Sequence, residues 1–188
     1  MQPRAAIGLG AVSAAWVLSV GFDLLLHAGL LARLYVQPGP FLLDPDAAFR
    51  RIPAGYLSFL VITLAVAWLV RRLDVRGAGA GFRLGATAGL VAWGAFLLGL
   101  WSISTARPAL LAGWWLGQSV ETGLAGAVCG AAAGGMPMPR LWRRVGLAVA
   151  ACVALTVLLQ SLGFAPAMRV ESNRIVSARR APNRMGMR

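Results

Sequence analysis

Five long apolar runs divide the chain, at residues 5–35, 54–70, 84–105, 109–134 and 145–164, with polar or chain-breaking residues between them. An α-helix rises 1.5 Å per residue, so about 20 apolar residues cross a hydrocarbon core of about 30 Å. The spacing therefore predicts an all-α, polytopic transmembrane helical bundle of five spans, occupying residues 1–166. The first run far exceeds the roughly 7–15 residues of a signal-peptide core. It is expected to be a retained span that tilts or extends past the interface.

The breaks between runs have their own chemistry. Gln37-Pro38-Gly39-Pro40 stops the first run. Asp44-Pro45-Asp46 then reads as a helix start, with Asp44 as the N-cap and Pro45 at the first helical position. Residues 47–52 predict a short interfacial turn, and Pro53 a kink where it joins the second span. Arg71, Arg72, Asp74 and Arg76 end that span, and the glycine-rich stretch 77–81 predicts a flexible loop. Arg107-Pro108 makes a tight connection, and Met136-Pro137-Met138-Pro139-Arg140 breaks the chain again. Residues 167–188 carry six Arg and little apolar pattern, which predicts a disordered, solvated tail.

Composition strengthens the membrane reading. The chain has 188 residues, of which 59% are hydrophobic and 13% charged, with a mean hydropathy of +0.71. Disordered chains are poorer in apolar residues, and soluble domains carry about 25% charge. The 18 basic residues are all Arg and outnumber 6 acids, for a net charge of +12. They stand singly or in pairs at the ends of apolar runs, so they read as membrane-edge charge and not as a nucleic-acid surface. Arg4, Arg71, Arg72, Arg76, Arg83, Arg140, Arg143 and Arg144 fall on one side, against Arg33, Arg50, Arg51 and Arg107 on the other. The excess of basic residues on the cytoplasmic side then puts the N-terminus in the cytoplasm of a multi-pass inner (plasma) membrane protein. The Arg of the tail fall on the opposite side, against the same rule.

Small residues recur every four positions. Gly126, Gly130 and Gly134 make one helical stripe, and Gly85 with Gly89 and Gly113 with Gly117 repeat the spacing. Such stripes let helix backbones approach closely in lipid. Two uses are open, packing within the chain or a homodimer through Gly126, Gly130 and Gly134. Cys129 and Cys152 lie in apolar runs without metal or redox spacing and read as small buried hydrophobes. The single His argues against multi-His metal or haem sites, and no cofactor is expected.

Polar groups inside the spans carry the functional signal, because an Asp at a helix centre costs about 2.5–3.5 kcal/mol on insertion scales. Glu121 lies near the middle of the fourth run. Asp23 lies past the middle of the first, with His27 one helical turn on and on the same face. By depth, Gln118, Trp114, Tyr56 and Ser102 share the outer half with them. Asp23, His27, Gln118, Glu121, Tyr56 and Trp114 are therefore the candidate ligand- or proton-binding residues, in a pocket that opens outward. Away from water the charged form of a carboxyl is disfavoured, so Glu121 is expected to be neutral unless it meets a donor or a cation. A purely structural role for both acids, as paired or protonated links between helices, is the alternative. No catalytic motif such as HExxH, GxSxG or a P-loop occurs, and no enzymatic activity is expected.

The segment from Asp23 to Leu31 followed by Tyr35, the Asp-Pro-Asp element at 44–46, and Trp115-Leu116-Gly117-Gln118-Ser119-Val120-Glu121 resemble patterns in small bacterial multi-pass membrane proteins. These are domain-of-unknown-function families of about four helices. The resemblance covers about residues 10–135 and implies an integral membrane protein with interest at Asp23, His27 and Glu121. It supplies no activity. Two functions stand as expectations: binding or movement of a proton, cation or small polar ligand, or a structural or assembly subunit of a membrane complex.

Overall fold

Glycine decides how the helices meet. In a computed structural model, which describes residues 7–36, 41–43 and 45–166, α4 (Ala78–Ile103) and α5 (Pro108–Ala133) form the most extensive helix pair. A Cβ on Gly81 would lie 2.1 Å from the Gly126 carbonyl oxygen, and one on Gly126 would lie 2.3 Å from the Gly81 oxygen. Only glycine permits that approach. The backbones come close enough for the Gly77 N–H to donate to the Gly130 carbonyl across the helix pair, at 2.7 Å.

The stripe at Gly126 and Gly130 thus faces α4 of the same chain. A partner chain would find that surface covered. The stretch 77–81, expected to be a flexible loop, is instead largely helical, because α4 begins at Ala78 and Gly81 is buried in the seam. Composition suggested flexibility where the real demand was backbone proximity.

The remaining elements surround α5. They are α1 (Leu9–Leu25), a π-helical turn (Leu26–Leu30), a short α2 (Ala32–Tyr35), α3 (Pro45–Arg72) and α6 (Met138–Ser161). α1 packs on α6, α5 and α3; α3 packs on α5 but barely touches α4. α5 is left with most of its length buried, including Gln118, Ser119, Glu121 and Thr122. The main core lies toward the end where α1 begins. There Ala11, Ala14, Ala15 and Leu18 meet Val66, Ala67 and Val70 of α3, Ala125, Val128 and Cys129 of α5, and Val145 of α6. Cys129 is a buried free thiol and Cys152 a half-buried one, consistent with packing roles.

The outside is apolar almost throughout. Leu57, Val61, Val91, Leu98, Leu147 and Val157 are all exposed, which suits hydrocarbon and not water. Four helical segments are long and apolar enough to cross a membrane: Leu9–Leu30, Ala47–Arg72, Ala78–Ile103 and Met138–Ser161. The expected interfacial turn at 47–52 is absent. α3 runs unbroken through Pro53, which lies inside the helix in an exposed stretch. The first run is interrupted at Leu31, well before Tyr35. Arg4, the breaker at 37–40, Asp44 and the tail at 167–188 lie outside the described residues.

The seam sets a direct test. Gly126→Ala should destabilise the protein by about 1–3 kcal/mol, the usual range for overpacking, seen as a lower unfolding temperature in detergent. Gly146→Ala, where a Cβ meets nothing within 4 Å, should unfold at the wild-type temperature or slightly above it. Equal behaviour of the two variants would mean that the α4–α5 approach is looser than described.

Candidate functional site

Among the described residues the chain departs from regular α-helix at one place, the π-helical turn after α1, and polar groups collect there. At Leu26–Leu30 the chain adopts π-helical hydrogen bonding, with the Leu31 N–H donating to the Leu26 carbonyl at 2.8 Å. Such one-turn bulges insert a residue, turn the following side chains around the axis, and are frequent at functional sites. α6 braces the bulge. Gln160 Nε2 donates to the Ala28 carbonyl at 3.0 Å. Arg33 donates to the Phe164 and Gly163 carbonyls at 2.7 and 2.9 Å, joining α2 to the end of α6.

His27 sits in the bulge with both ring nitrogens engaged. Its Nε2 is 3.0 Å from Asp23 Oδ1, and its Nδ1 bonds the Tyr35 hydroxyl. Trp114 Nε1 donates to the same hydroxyl from α5. One direction of donation satisfies the whole chain. The indole N–H donates to the phenol oxygen, the phenol O–H to Nδ1, and Nε2–H to the Asp23 carboxylate. The ring proton is assigned by this network. Phe41 packs over Trp114, their ring centres 6.1 Å apart, and screens this end of the chain.

Glu121 lies inward of that chain and is 3% exposed. Register puts it level with Asp23. Leu26 covers Gly117, where a Cβ would lie 2.3 Å from its Cδ2; Asp23 precedes Leu26 by one turn and Glu121 follows Gly117 by one turn. Gln118 hydrogen-bonds the Glu121 carboxyl group, and the Asp23 charge acts on it. Glu121 Oε2 has no hydrogen-bond partner among the described residues. Tyr56 is also within reach of the Asp23 charge, and its backbone carbonyl accepts from Trp16 Nε1 at 2.9 Å, which fixes α3 to α1.

The six expected residues come from neighbouring elements, Asp23 from α1, His27 from the bulge, Tyr56 from α3 and Trp114, Gln118 and Glu121 from α5, and they hold different roles. Asp23, His27 and Trp114 belong to one hydrogen-bonded chain, Glu121 and Gln118 to a buried pair beside it, and Tyr56 stands nearby without a side-chain bond to either. Ser102 does not join. It is exposed on α4 and donates to the Gly99 carbonyl of its own helix at 2.7 Å. Sequence reasoning missed the connecting residue, Tyr35. It is one of only two Tyr in the chain and ends the first apolar run, which was the available signal. The break at Leu31 that folds it back toward His27 has no marker in the sequence.

Among the described residues no group of three or more His, Cys, Asp or Glu side chains could hold a metal ion. No family model, no curated protein and no solved structure matches this chain.

Tyr35→Phe removes the shared hydroxyl and leaves Trp114 Nε1 and one His27 nitrogen without their partner. It should cost about 1–3 kcal/mol, the range for orphaned buried polar groups. The tryptophan band that reports indole hydrogen bonding in ultraviolet resonance Raman spectra should weaken in this variant. An unchanged band would show that Trp114 has another acceptor.

Proposed function

We propose that the protein is a five-span membrane protein that binds a proton at the Asp23–His27–Tyr35 chain, with Glu121 as the inner end of the same polar site. α5 is read as the fifth crossing. It is less apolar than the other four, and being wrapped by α1, α3 and α4 it needs little lipid-facing surface. Arg71, Arg72, Arg76, Arg83, Arg140, Arg143 and Arg144 gather at the end where α1 begins, which supports a cytoplasmic N-terminus in an inner membrane.

One observation carries the reading: a continuous donor–acceptor chain of protonatable groups at a π-helical bulge. Exposure falls from this chain toward Glu121 beside it. The His27 side chain is 25% exposed and that of Asp23 16%, while Glu121 is 3% exposed, so a proton enters at His27. When it binds Nδ1, the imidazolium donates to the Tyr35 oxygen, which already accepts from Trp114. The phenol hydrogen must then turn to a new acceptor. Protonation of one ring thereby changes the bonding of three side chains on two helices.

The test is proton uptake into liposomes that hold a pH-sensitive dye, with the membrane potential clamped. The wild type should collapse an imposed pH gradient faster than protein-free vesicles, and Asp23→Asn and His27→Gln should bring the rate down to theirs. Wild-type vesicles as tight as empty ones would exclude proton movement. They would favour the alternative, a structural or assembly subunit, whose apolar groove between exposed Trp101 and Trp115 is then a surface for another membrane helix.

A further inference from the structure

The segment that carries Tyr35 is too short to hold itself in place. α2 has four residues, Ala32–Tyr35, and a single turn of helix is not stable without tertiary contacts. Leu31 lies over Gly113 and Ala32 is wholly buried. Apolar contact of this kind is non-directional and does not set which way the following turn points. Directional bonds come from the end of α6. Arg33 donates through Nε to the Phe164 carbonyl at 2.7 Å and through Nη2 to the Gly163 carbonyl at 2.9 Å. On the other side of Leu31, the Ala28 carbonyl accepts from Gln160 Nε2 at 3.0 Å.

The local structure of α6 supplies fixed acceptors for Arg33. Gly163 takes a left-handed backbone, φ 73°. The Gly163 N–H donates to the Gln160 carbonyl at 3.1 Å and the Phe164 N–H to the Leu159 carbonyl at 2.9 Å, the paired bonds that close a helix at a left-handed glycine. The last turn of α6 is thus closed by its own backbone, which leaves the Gly163 and Phe164 carbonyls, beyond it, to another segment. Arg33 takes both. A guanidinium holds its N–H groups in one rigid plane, whereas an ammonium is a rotatable point charge, so two bonds from one Arg fix the direction of α2 as well as its distance. Tyr35 stands two residues on, and its hydroxyl joins His27 Nδ1 to Trp114.

We propose that Arg33, with Gln160 as a second point of attachment, is the positioning residue of the polar site: by pinning α2 to the end of α6 it holds the Tyr35 hydroxyl on His27 Nδ1. This rests on the proton-binding reading given above and names the residue that keeps the receiving nitrogen paired.

His27 is the only His in the chain, so protein labelled with nitrogen-15 histidine gives imidazole signals from that ring alone. The spectra are taken in detergent at alkaline pH, well above the ordinary imidazole range. Tyr35→Phe should move the Nδ1 resonance to the position of a ring nitrogen without a donor, which defines the full displacement. Arg33→Met keeps the stem and loses the fork. It should show most of that displacement while the Nε2 resonance stays in place, because Asp23 is held on α1. Arg33→Lys should fall between Arg33→Met and the wild type, and Gln160→Met should shift Nδ1 in the same direction. Arg144→Met, at the other end of α6, should change neither resonance. A wild-type Nδ1 position in folded Arg33→Met would overturn the proposal. Should Arg33→Met fail to fold, Arg33→Lys and Gln160→Met read the same nitrogen, and wild-type positions in both would overturn it equally. Proton uptake into liposomes separates this inference from the reading on which it rests. Wild-type vesicles as tight as empty ones, with a displaced Nδ1 in Arg33→Met, would defeat the proton reading and leave Arg33 as the residue that positions Tyr35. Fast uptake by the wild type with an unmoved resonance in Arg33→Met would defeat this inference alone.

Discussion

Glu121 places the strongest demand on this fold, because a carboxyl group near the middle of a long helix must be kept away from hydrocarbon. α5 meets that demand by being surrounded. Its seam with α4 is so close that backbone atoms touch through Gly81 and Gly126, leaving no room for lipid on that side. α1 covers a second side by laying Leu26 and Leu31 over Gly117 and Gly113, and α3 covers a third. The glycines of α5 therefore serve the acid as much as the packing. Each admits a neighbour close enough to exclude the bilayer, and α5 in turn can carry Gln118, Ser119 and Thr122 beside Glu121.

The π-helical turn does for α1 what the glycines do for α5. A regular helix through residue 30 would project His27 and the residues after it in a fixed sequence of directions. The inserted residue breaks that sequence, and the chain turns at Leu31 so that Tyr35 returns to His27. This distortion is stabilised from outside, by Gln160 on the Ala28 carbonyl and Arg33 on the end of α6. The dependence is mutual, since the carbonyls at the end of α6 find their donors in Arg33. An element that looks like a local defect in α1 is thus held by a partner more than 130 residues away in the chain.

Much of this was legible in the sequence, and the limits have physical causes. Apolar run length located every long helix, because the hydrocarbon thickness fixes a minimum that loops do not reach. The insertion penalty picked out Asp23 and Glu121, and helical periodicity joined His27 to Asp23. The glycine spacing announced close backbone contact but not the partner helix, since a stripe of small residues looks the same whether it meets its own chain or another. Glycine-rich 77–81 read as a loop because the local preference of glycine opposes helix, and tertiary contact with Gly126 and Gly130 overrode it. Tyr35 was hidden because its place depends on the bulge, and hydrogen-bond slippage by one residue leaves no compositional mark.

The distribution of buried polarity gives the site a side. Ser19, Thr63, Gln118, Ser119, Glu121, Thr122 and Thr156, the buried polar residues among those described, lie at the middle of their helices or toward the end where α1 and α6 finish. Toward the Arg-rich end the interior is Ala, Val, Leu and Cys, with Ala11, Ala14, Cys129 and Val70 almost wholly buried. The interior around Glu121 is therefore polar toward one end of the bundle and close-packed and apolar toward the other. α3 is the long helix least held by this packing, because it barely touches α4 and its first half is exposed nearly all round.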